Sequence, residues 1–255
     1  MIANEARLFL IALQFLTRIR ITAIDPFPDD WLPRSSKYMP LVGALIGAVV
    51  GLLVIASFLF FPAPVPVVIG LAASLLLTGA LHEDGLADTL DAFGGGGSRE
   101  RCLEIMKDSR IGIYGALALI VVLALKAASL AAIDPISIAR VLIAAYAGGR
   151  FAAVAAMTAL PYAGGDNVKV SRAPALMTAK ELGLALAFAV LAGFFALGML
   201  VFVVATIAAV LAAAVIALIA RKKIGGYTGD VLGAVEQIYE VTFIAVAAAM
   251  IAGPG

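Results

Sequence analysis

Three aspartates with helical spacing are the most chemically informative feature of this sequence of 255 residues. Asp84, Asp88 and Asp91 stand at positions i, i+4 and i+7, which places their carboxylates on one face of a helix. Like charges at this spacing repel each other, so the arrangement is destabilising unless a cation lies beside it. Proteins usually hold magnesium through one or two carboxylates together with substrate phosphates. The spacing therefore predicts a Mg²⁺ site, and the alternative is a solvated acidic helix end.

Basic residues follow these aspartates within the same polar stretch. Gly94–Gly97 would break the helix and let the next segment fold back over it. Carboxylates for a metal beside basic groups for phosphate oxygens are the equipment of phosphoryl transfer. The predicted metal ligands are Asp84, Asp88, Asp91 and Asp108, the last of which could instead pair with neighbouring basic residues. The predicted catalytic residues are Asp84, Asp88, Lys107, Arg110 and Arg150.

Composition indicates that these residues belong to a membrane protein. Hydrophobic residues make up 63% of the chain and charged residues 14%, against about 45–50% and about 25% in soluble domains. The mean hydropathy is +1.08, so too few polar side chains remain to coat a soluble globule. This excludes a cytosolic protein and a nucleic-acid-binding domain. The single cysteine, Cys102, excludes an intramolecular disulfide.

Seven apolar runs can span a bilayer, which requires roughly 20 residues each. We therefore predict an all-α polytopic integral membrane protein, with residues 1–255 forming a single membrane domain. Residues 182–220 must fold back near Gly198, because one helix of that length would reach about 58 Å. Residues 6–21 predict an amphipathic helix at the bilayer surface, with a short first span as the alternative. The predicted spans are residues 39–61, 64–81, 111–133, 136–160, two within 182–220, and 235–253.

The distribution of basic residues predicts the orientation of the chain. Fifteen of the 18 lysines and arginines lie in residues 1–38, 82–110, 161–181 and 221–234. The three predicted hairpin tips, near residues 62–63, 134–135 and 198–200, hold none. The positive-inside rule places these four segments in the cytoplasm. We therefore expect a protein of the cytoplasmic (inner) membrane whose active site faces the cytoplasm. Lys126, outside these segments, is predicted to snorkel towards the outer surface.

Two long motifs resemble the cobalamin synthase family, the adenosylcobinamide-GDP ribazoletransferases. The first runs from His82 to Asp91 and continues over Glu104–Gly112, and the second runs from Gly225 to Ala234. Shorter matching pieces occur in the family's order between residues 14 and 240, so the resemblance covers nearly the whole chain. Three positions depart from the residues usual in the family: Glu83, Ala92 and Gly164.

The resemblance implies a magnesium-dependent transfer in the cytoplasmic membrane. A hydroxyl of α-ribazole, or of its 5′-phosphate, would attack the phosphate attached to cobinamide in adenosylcobinamide-GDP, and GMP would leave. Lys107, Arg110 and Arg150 would neutralise the charge that develops on the diphosphate. Polar residues of the matching segments and of the cytoplasmic loops are predicted to contact substrate: Arg18, Tyr162, Asn167, Lys222, Thr228, Asp230 and Glu240.

Two other classes of protein compete with this interpretation. A CDP-alcohol phosphotransferase also uses spaced aspartates and magnesium, but its motif has arginine where Asp88 stands here. A prenyltransferase would show a second aspartate-rich motif, which the sequence lacks. A transporter that used Asp84, Arg150 and Glu240 as an ion path would place them near the bilayer midplane, whereas most of these charges are predicted at the cytoplasmic boundary. A homo-oligomer is compatible with the sequence, which does not fix the number of subunits.

Overall fold

The structure, a computed structural model, describes residues 2–21, 31–164 and 177–253, which are helical apart from short connections. No β-strand occurs in these ranges, and the predicted all-α class is confirmed. The helices are α1 (Ile2–Leu16), α2 (Trp31–Ser35), α3 (Met39–Ser57), α4 (Val65–Thr78), α5 (Leu81–Gly95), α6 (Arg99–Ile105), α7 (Ile113–Ala131), α8 (Pro135–Ala159), α9 (Ala179–Leu197), α10 (Met199–Ile224) and α11 (Gly229–Ala252), with a 3₁₀ turn at Ser36–Tyr38.

Six stretches of the described chain are long and apolar enough to cross a membrane. They are the stretch from Trp31 to Ser57 and helices α7 to α11, and the bent pair α4–α5 supplies a seventh if it counts as one broken span. The predicted polytopic architecture is therefore confirmed. Helix α1 has 15 residues, which is shorter than a spanning helix requires.

The predicted turns after α7 and α9 lie where the sequence places them. The Asp134 carboxylate accepts hydrogen bonds from the amides of Ile136 and Ser137 and so caps the start of α8. Gly198, with φ of +76°, ends α9 and directly precedes α10. The long apolar run therefore forms two spans joined by one residue.

The predicted second span is wrong at its C-terminal boundary. Helix α4 ends at Thr78 because Gly79 and Ala80 both adopt left-handed backbone conformations, with φ of 71° and 57°. Helix α5 then leaves at 88° to α4. The three aspartates consequently lie on a separate helix and not in the last turns of the span. The predicted loop 221–234 is also mostly helical, since α10 continues to Ile224 and α11 begins at Gly229.

A row of glycines lets α3 pack closely against α8. Gly43, Gly47 and Gly51 are four residues apart and face the backbone of α8. A Cβ atom on Gly47 would lie 2.6 Å from the Leu142 carbonyl oxygen, and one on Gly43 would lie 2.6 Å from Cδ of Arg150. Small residues at this spacing are a common helix-packing device in membranes. The contact fixes the position of α8, and Arg150 with it.

We expect Gly47→Ala to lower the free energy of unfolding by about 1–3 kcal/mol, because the added methyl group meets helix backbone that cannot rotate away. The matched control is Gly183→Ala on α9, where a Cβ would meet nothing within 4 Å. That change should be neutral or stabilising, since alanine is the better helix former. Thermal unfolding of both variants in lipid nanodiscs provides the comparison, and equal stability of the two would contradict it.

Segments that the basic residues place on one side of the membrane meet at one end of the structure. Arg99 Nε donates to the Ile224 carbonyl at 2.9 Å, and its Nη2 donates to the Ala163 carbonyl at 3.3 Å. The Tyr227 amide donates to the Pro161 carbonyl at 2.9 Å. The chain after α5, the chain after α8 and the α10–α11 connection are thereby joined.

Candidate active site

A cavity of about 290 Å³ lies beside this junction, between the first turns of α5 and α11 and the second half of α8. Four residues predicted from the sequence line it: Asp84, Arg150, Tyr162 and Asp230. Arg150 therefore shares a cavity with Asp84. Most of the wall, however, is apolar and comes from residues the sequence analysis did not select: Phe15, Leu16, Leu32, Met39, Val154 and Met157.

Two glycines bring the acidic starts of α5 and α11 together. A Cβ on Gly85 would lie 2.8 Å from the Asp230 carbonyl oxygen, and one on Gly233 would lie 3.0 Å from the His82 carbonyl oxygen. The two helices therefore touch backbone to backbone. Each glycine is adjacent or close in sequence to an aspartate of the cavity, so the glycine contact places Asp84 and Asp230 in one wall.

The three aspartates of α5 have different environments. The exposed Asp84 carboxylate makes no hydrogen bond or ion pair with any residue that the structure describes. Asp88 lies one turn further along and is half-buried. Asp91 is buried, and its two oxygens accept hydrogen bonds from the amides of Gly112 and Gly115 at 2.7 and 2.9 Å. Asp91 thus caps the start of α7, and its predicted role as a metal ligand stays a prediction.

The predicted ligand Asp108 also lies apart from the cavity. Its carboxylate accepts three hydrogen bonds from the Arg110 guanidinium, and the 87% exposed side chain of Arg110 is engaged in this pair. Hydrogen bonding to Arg110 lowers the pKa of Asp108 to about 2. Within the described ranges, no three His, Cys, Asp or Glu side chains form a group that could hold a metal ion. The four predicted carboxylates therefore do not form a single metal site.

The other predicted basic residues do not line the cavity. Lys107 and Lys222 are exposed, and Arg110 is paired as described. Arg18 is exposed and lies against the α4–α5 bend, where a Cβ on Gly79 would be 2.6 Å from its Nε. Asn167 falls in residues 165–176, which lie outside the described part of the chain. Residues 22–30 of the N-terminal segment also lie outside it.

Two tyrosines stand at the end of the cavity nearest the connections. The rings of Tyr162 and Tyr227 pack edge to face with centroids 5.5 Å apart. Burial raises the pKa of Tyr227 to about 12, and burial together with the charge of Asp230 raises the pKa of Tyr162. Both phenols therefore keep their protons at neutral pH. Thr228, predicted to bind substrate, instead caps α11 by accepting from the Val231 amide, and its hydroxyl donates to Asp230 Oδ2 at 3.3 Å.

A buried network of charges surrounds Arg150 inside the membrane-spanning helices. Its Nη1 forms ion pairs with Glu240 Oε1 and, at 2.6 Å, with Glu236 Oε1. The other Glu240 oxygen lies 2.7 Å from Nζ of Lys126, which also donates to the amide oxygen of Gln237. Arg150, Glu240 and Lys126 are 2–3% exposed and Glu236 is fully buried. The prediction that Lys126 snorkels to the surface is wrong.

The guanidinium of Arg150 lies over the Tyr146 ring, 4.9 Å from its centroid, and makes its polar contacts with described residues through one nitrogen. Its hydrogen bonds and ion pairs with described residues all use Nη1. Its buried Nε has no partner among the described residues. A buried, unpaired donor of a permanently charged group is costly unless an acceptor occupies the site. Because Arg150 lines the cavity, the arrangement favours an anionic ligand there.

The fold and the cavity together define a polytopic all-α membrane protein with a polar site beside an apolar pocket among its helices. A family model described as cobalamin-5-phosphate synthase matches residues 8–248. The chain therefore belongs to the cobalamin-5-phosphate synthase family, and the resemblance given by the two long motifs is confirmed.

Individual relatives cover almost the full length of the chain. An adenosylcobinamide-GDP ribazoletransferase of Leptothrix cholodnii is 43% identical over 251 residues, which is 93% of each chain. A protein with the same description from Bradyrhizobium diazoefficiens is 41% identical over 94% of this chain and 92% of its own. Another, from Shewanella amazonensis, is 39% identical over 93% of both chains. No solved structure matches the chain.

Proposed function

We propose that this protein is a transferase that joins adenosylcobinamide-GDP to α-ribazole, or to its 5′-phosphate, and releases GMP in cobalamin biosynthesis. The observation that carries the proposal is the near-full-length similarity to relatives described as adenosylcobinamide-GDP ribazoletransferases. The cavity supports it, since Arg150 can donate to the oxygens of a phosphate-bearing substrate and the Asp84 carboxylate can hold a cation beside them.

The Asp84 carboxylate at the cavity and the neighbouring Asp88 fit a magnesium ion shared with substrate. Among the described residues the Asp84 carboxylate has no hydrogen-bond or ion-pair partner, and Asp88, which lies outside the cavity lining, is on the same face of α5. One or two carboxylates with substrate phosphates are the usual surroundings of Mg²⁺. We assign Asp84 and Asp88 as its ligands. A bound Mg²⁺ supplies positive charge to the diphosphate oxygens of the substrate.

The protein's own residues then bind and orient the reacting groups. Arg150, which lines the cavity, donates to phosphate oxygens and neutralises the charge that the departing GMP develops. Asp230 faces Asp84 across the glycine contact, and Thr228 occupies only its Oδ2. We assign Asp230 Oδ1 as the acceptor of the proton of the attacking ribose hydroxyl. The new bond joins this oxygen to the phosphorus attached to cobinamide, and the bond from that phosphorus to the bridging oxygen breaks, so the bridging oxygen leaves as part of GMP.

The reaction is tested by incubating the purified protein in lipid nanodiscs with adenosylcobinamide-GDP, Mg²⁺ and either α-ribazole or its 5′-phosphate. We expect GMP and a cobalamin product in equal amounts. Chelation of the metal should stop turnover, and added Mg²⁺ should restore it. Absence of GMP release with both acceptors would contradict the proposed function.

We also propose that the protein lies in the inner membrane with its cavity open to the cytoplasm, because the segments around the cavity end carry most of the basic residues. Ser98, at the start of α6, should then face the cytoplasm, and the exposed Met199, at the α9–α10 turn, should face outwards. In intact cells, an impermeant thiol reagent should label Met199→Cys and not Ser98→Cys. The wild type is the control for the buried Cys102, and the reverse labelling pattern would overturn the orientation.

A further inference from the structure

We infer that the 290 Å³ cavity binds the ribazole acceptor, with its flat base against the apolar wall and its ribose at the acidic end. The inference rests on the proposed transfer reaction, which has two substrates of very different size. It assigns one of them to this cavity and places the corrin ring of the other outside it.

Size is the first argument. A volume of about 290 Å³ lies just below the usual range of pockets that enclose a small ligand, roughly 300–1,000 Å³. Along α8 the cavity extends from Arg150 to Met157, which is about 10 Å at 1.5 Å per residue. These dimensions suit a nucleoside. They exclude the corrin macrocycle with its side chains, which is several times larger than a fused two-ring base with its ribose.

The chemistry of the wall separates the two nucleosides of the reaction. Apolar side chains make up most of the lining, among them Phe15, Leu16, Met39, Val154 and Met157, and the uncharged polar side chains are His82, Tyr162 and Tyr227. Guanine carries several donors and acceptors, and those that meet the apolar side chains would lose water without a partner. The benzimidazole of ribazole is mostly hydrocarbon at its edge, so the apolar wall gains from covering it.

The tyrosine pair supplies an aromatic surface at the same cavity. Tyr162 and Tyr227 both line it, and both phenols stay protonated at neutral pH. Flat aromatic ligands gain from edge-to-face and offset contacts with such rings. With the base against the apolar wall, the ribose lies towards Asp84, Asp230 and Arg150, where the reaction requires its hydroxyl.

Two neighbouring alanines of α8 provide a matched test. Ala153 lines this cavity, whereas Ala152 lines a separate apolar cavity of about 390 Å³ between α8 and helices α9 to α11. In nanodiscs with Mg²⁺, Ala153→Leu should raise the KM for α-ribazole at least tenfold and change the KM for adenosylcobinamide-GDP less than twofold. Ala152→Leu should leave both KM values unchanged. A raised KM for adenosylcobinamide-GDP alone would assign the cavity to guanosine, and unchanged values for Ala153→Leu would also overturn the inference.

A binding measurement keeps the inference testable if Ala153→Leu does not fold. Met157 lines the cavity, and Met157→Cys can be modified with a small thiol reagent while the native Cys102 stays buried. α-Ribazole should slow this modification, and GMP at the same concentration should not. Equal protection by both, or by GMP alone, would contradict the assignment. A wild type that binds α-ribazole but releases no GMP would instead contradict the proposed reaction while leaving the cavity assignment standing.

Discussion

Replacing Asp84 by asparagine should reduce turnover by about 10²–10³-fold or more, the scale seen when a group that stabilises transition-state charge is removed. The free energy of unfolding should change by less than about 0.5 kcal/mol. The reason is that the Asp84 carboxylate makes no hydrogen bond or ion pair with the described residues, so the folded state loses no contact. GMP release at saturating substrates and Mg²⁺ measures the first effect, and thermal unfolding measures the second.

Asp91 is the matched control on the same helix face. Its two oxygens cap α7 through the amides of Gly112 and Gly115, so Asp91→Ala should destabilise the protein by about 1–2 kcal/mol. Mg²⁺ should raise the melting temperature of Asp91→Ala as it does that of the wild type, and should raise that of Asp84→Asn less. Near-normal GMP release from Asp84→Asn would contradict the assignment of Asp84 as a Mg²⁺ ligand.

This contrast shows where sequence reasoning about the site reaches its limit. Helical spacing makes Asp84, Asp88 and Asp91 equivalent, because it fixes only the face on which they lie. Their difference arises from tertiary structure: the start of α7 comes back against α5 and takes up the carboxylate of Asp91. Nothing in the spacing of the aspartates indicates which of them meets that helix.

The architecture was predictable because apolar run length and turn residues act locally. The Asp134–Pro135 cap and Gly198 each end or begin a helix through their own backbone preferences. The bend at Gly79–Ala80 was missed because Ala80, with φ of 57°, carries no sequence signal for a left-handed conformation. The bend matters for the site, since it turns α5 and its aspartates away from the line of α4.

The buried ion pairs of Lys126 are the other feature that the sequence analysis did not predict. Hydropathy identifies an apolar helix but does not say which of its faces meets lipid. Lys126 was therefore assigned to the outer surface, although it is 2% exposed and paired with Glu240. The four-residue spacing of Glu236 and Glu240 in α11 was the available signal, because two carboxylates on one face of a span require cations from neighbouring helices.

That network leads to the second large expected effect, the loss of stability in Lys126→Met. Methionine has a similar length and no charge, so Arg150 would become the single cation beside Glu236 and Glu240. Removing one partner of a buried ion pair costs about 3–5 kcal/mol, because the remaining charge is left uncompensated. We expect a loss of this size in the free energy of unfolding, measured in nanodiscs. Arg140→Met is the control: Arg140 is an exposed cation on α8, and its loss should cost less than about 0.5 kcal/mol.

The double variant Lys126→Met/Glu240→Gln separates charge balance from packing. It removes one cation and one carboxylate together, so Arg150 and Glu236 remain as a balanced pair at 2.6 Å. The double variant should therefore be more stable than the sum of the two single losses predicts, with a coupling of about 1–3 kcal/mol. Additive losses would show that Lys126 contributes through packing alone. A favourable coupling would mean that Lys126, which lies outside the cavity lining, balances the carboxylates that hold Nη1 of Arg150 and leave its Nε free.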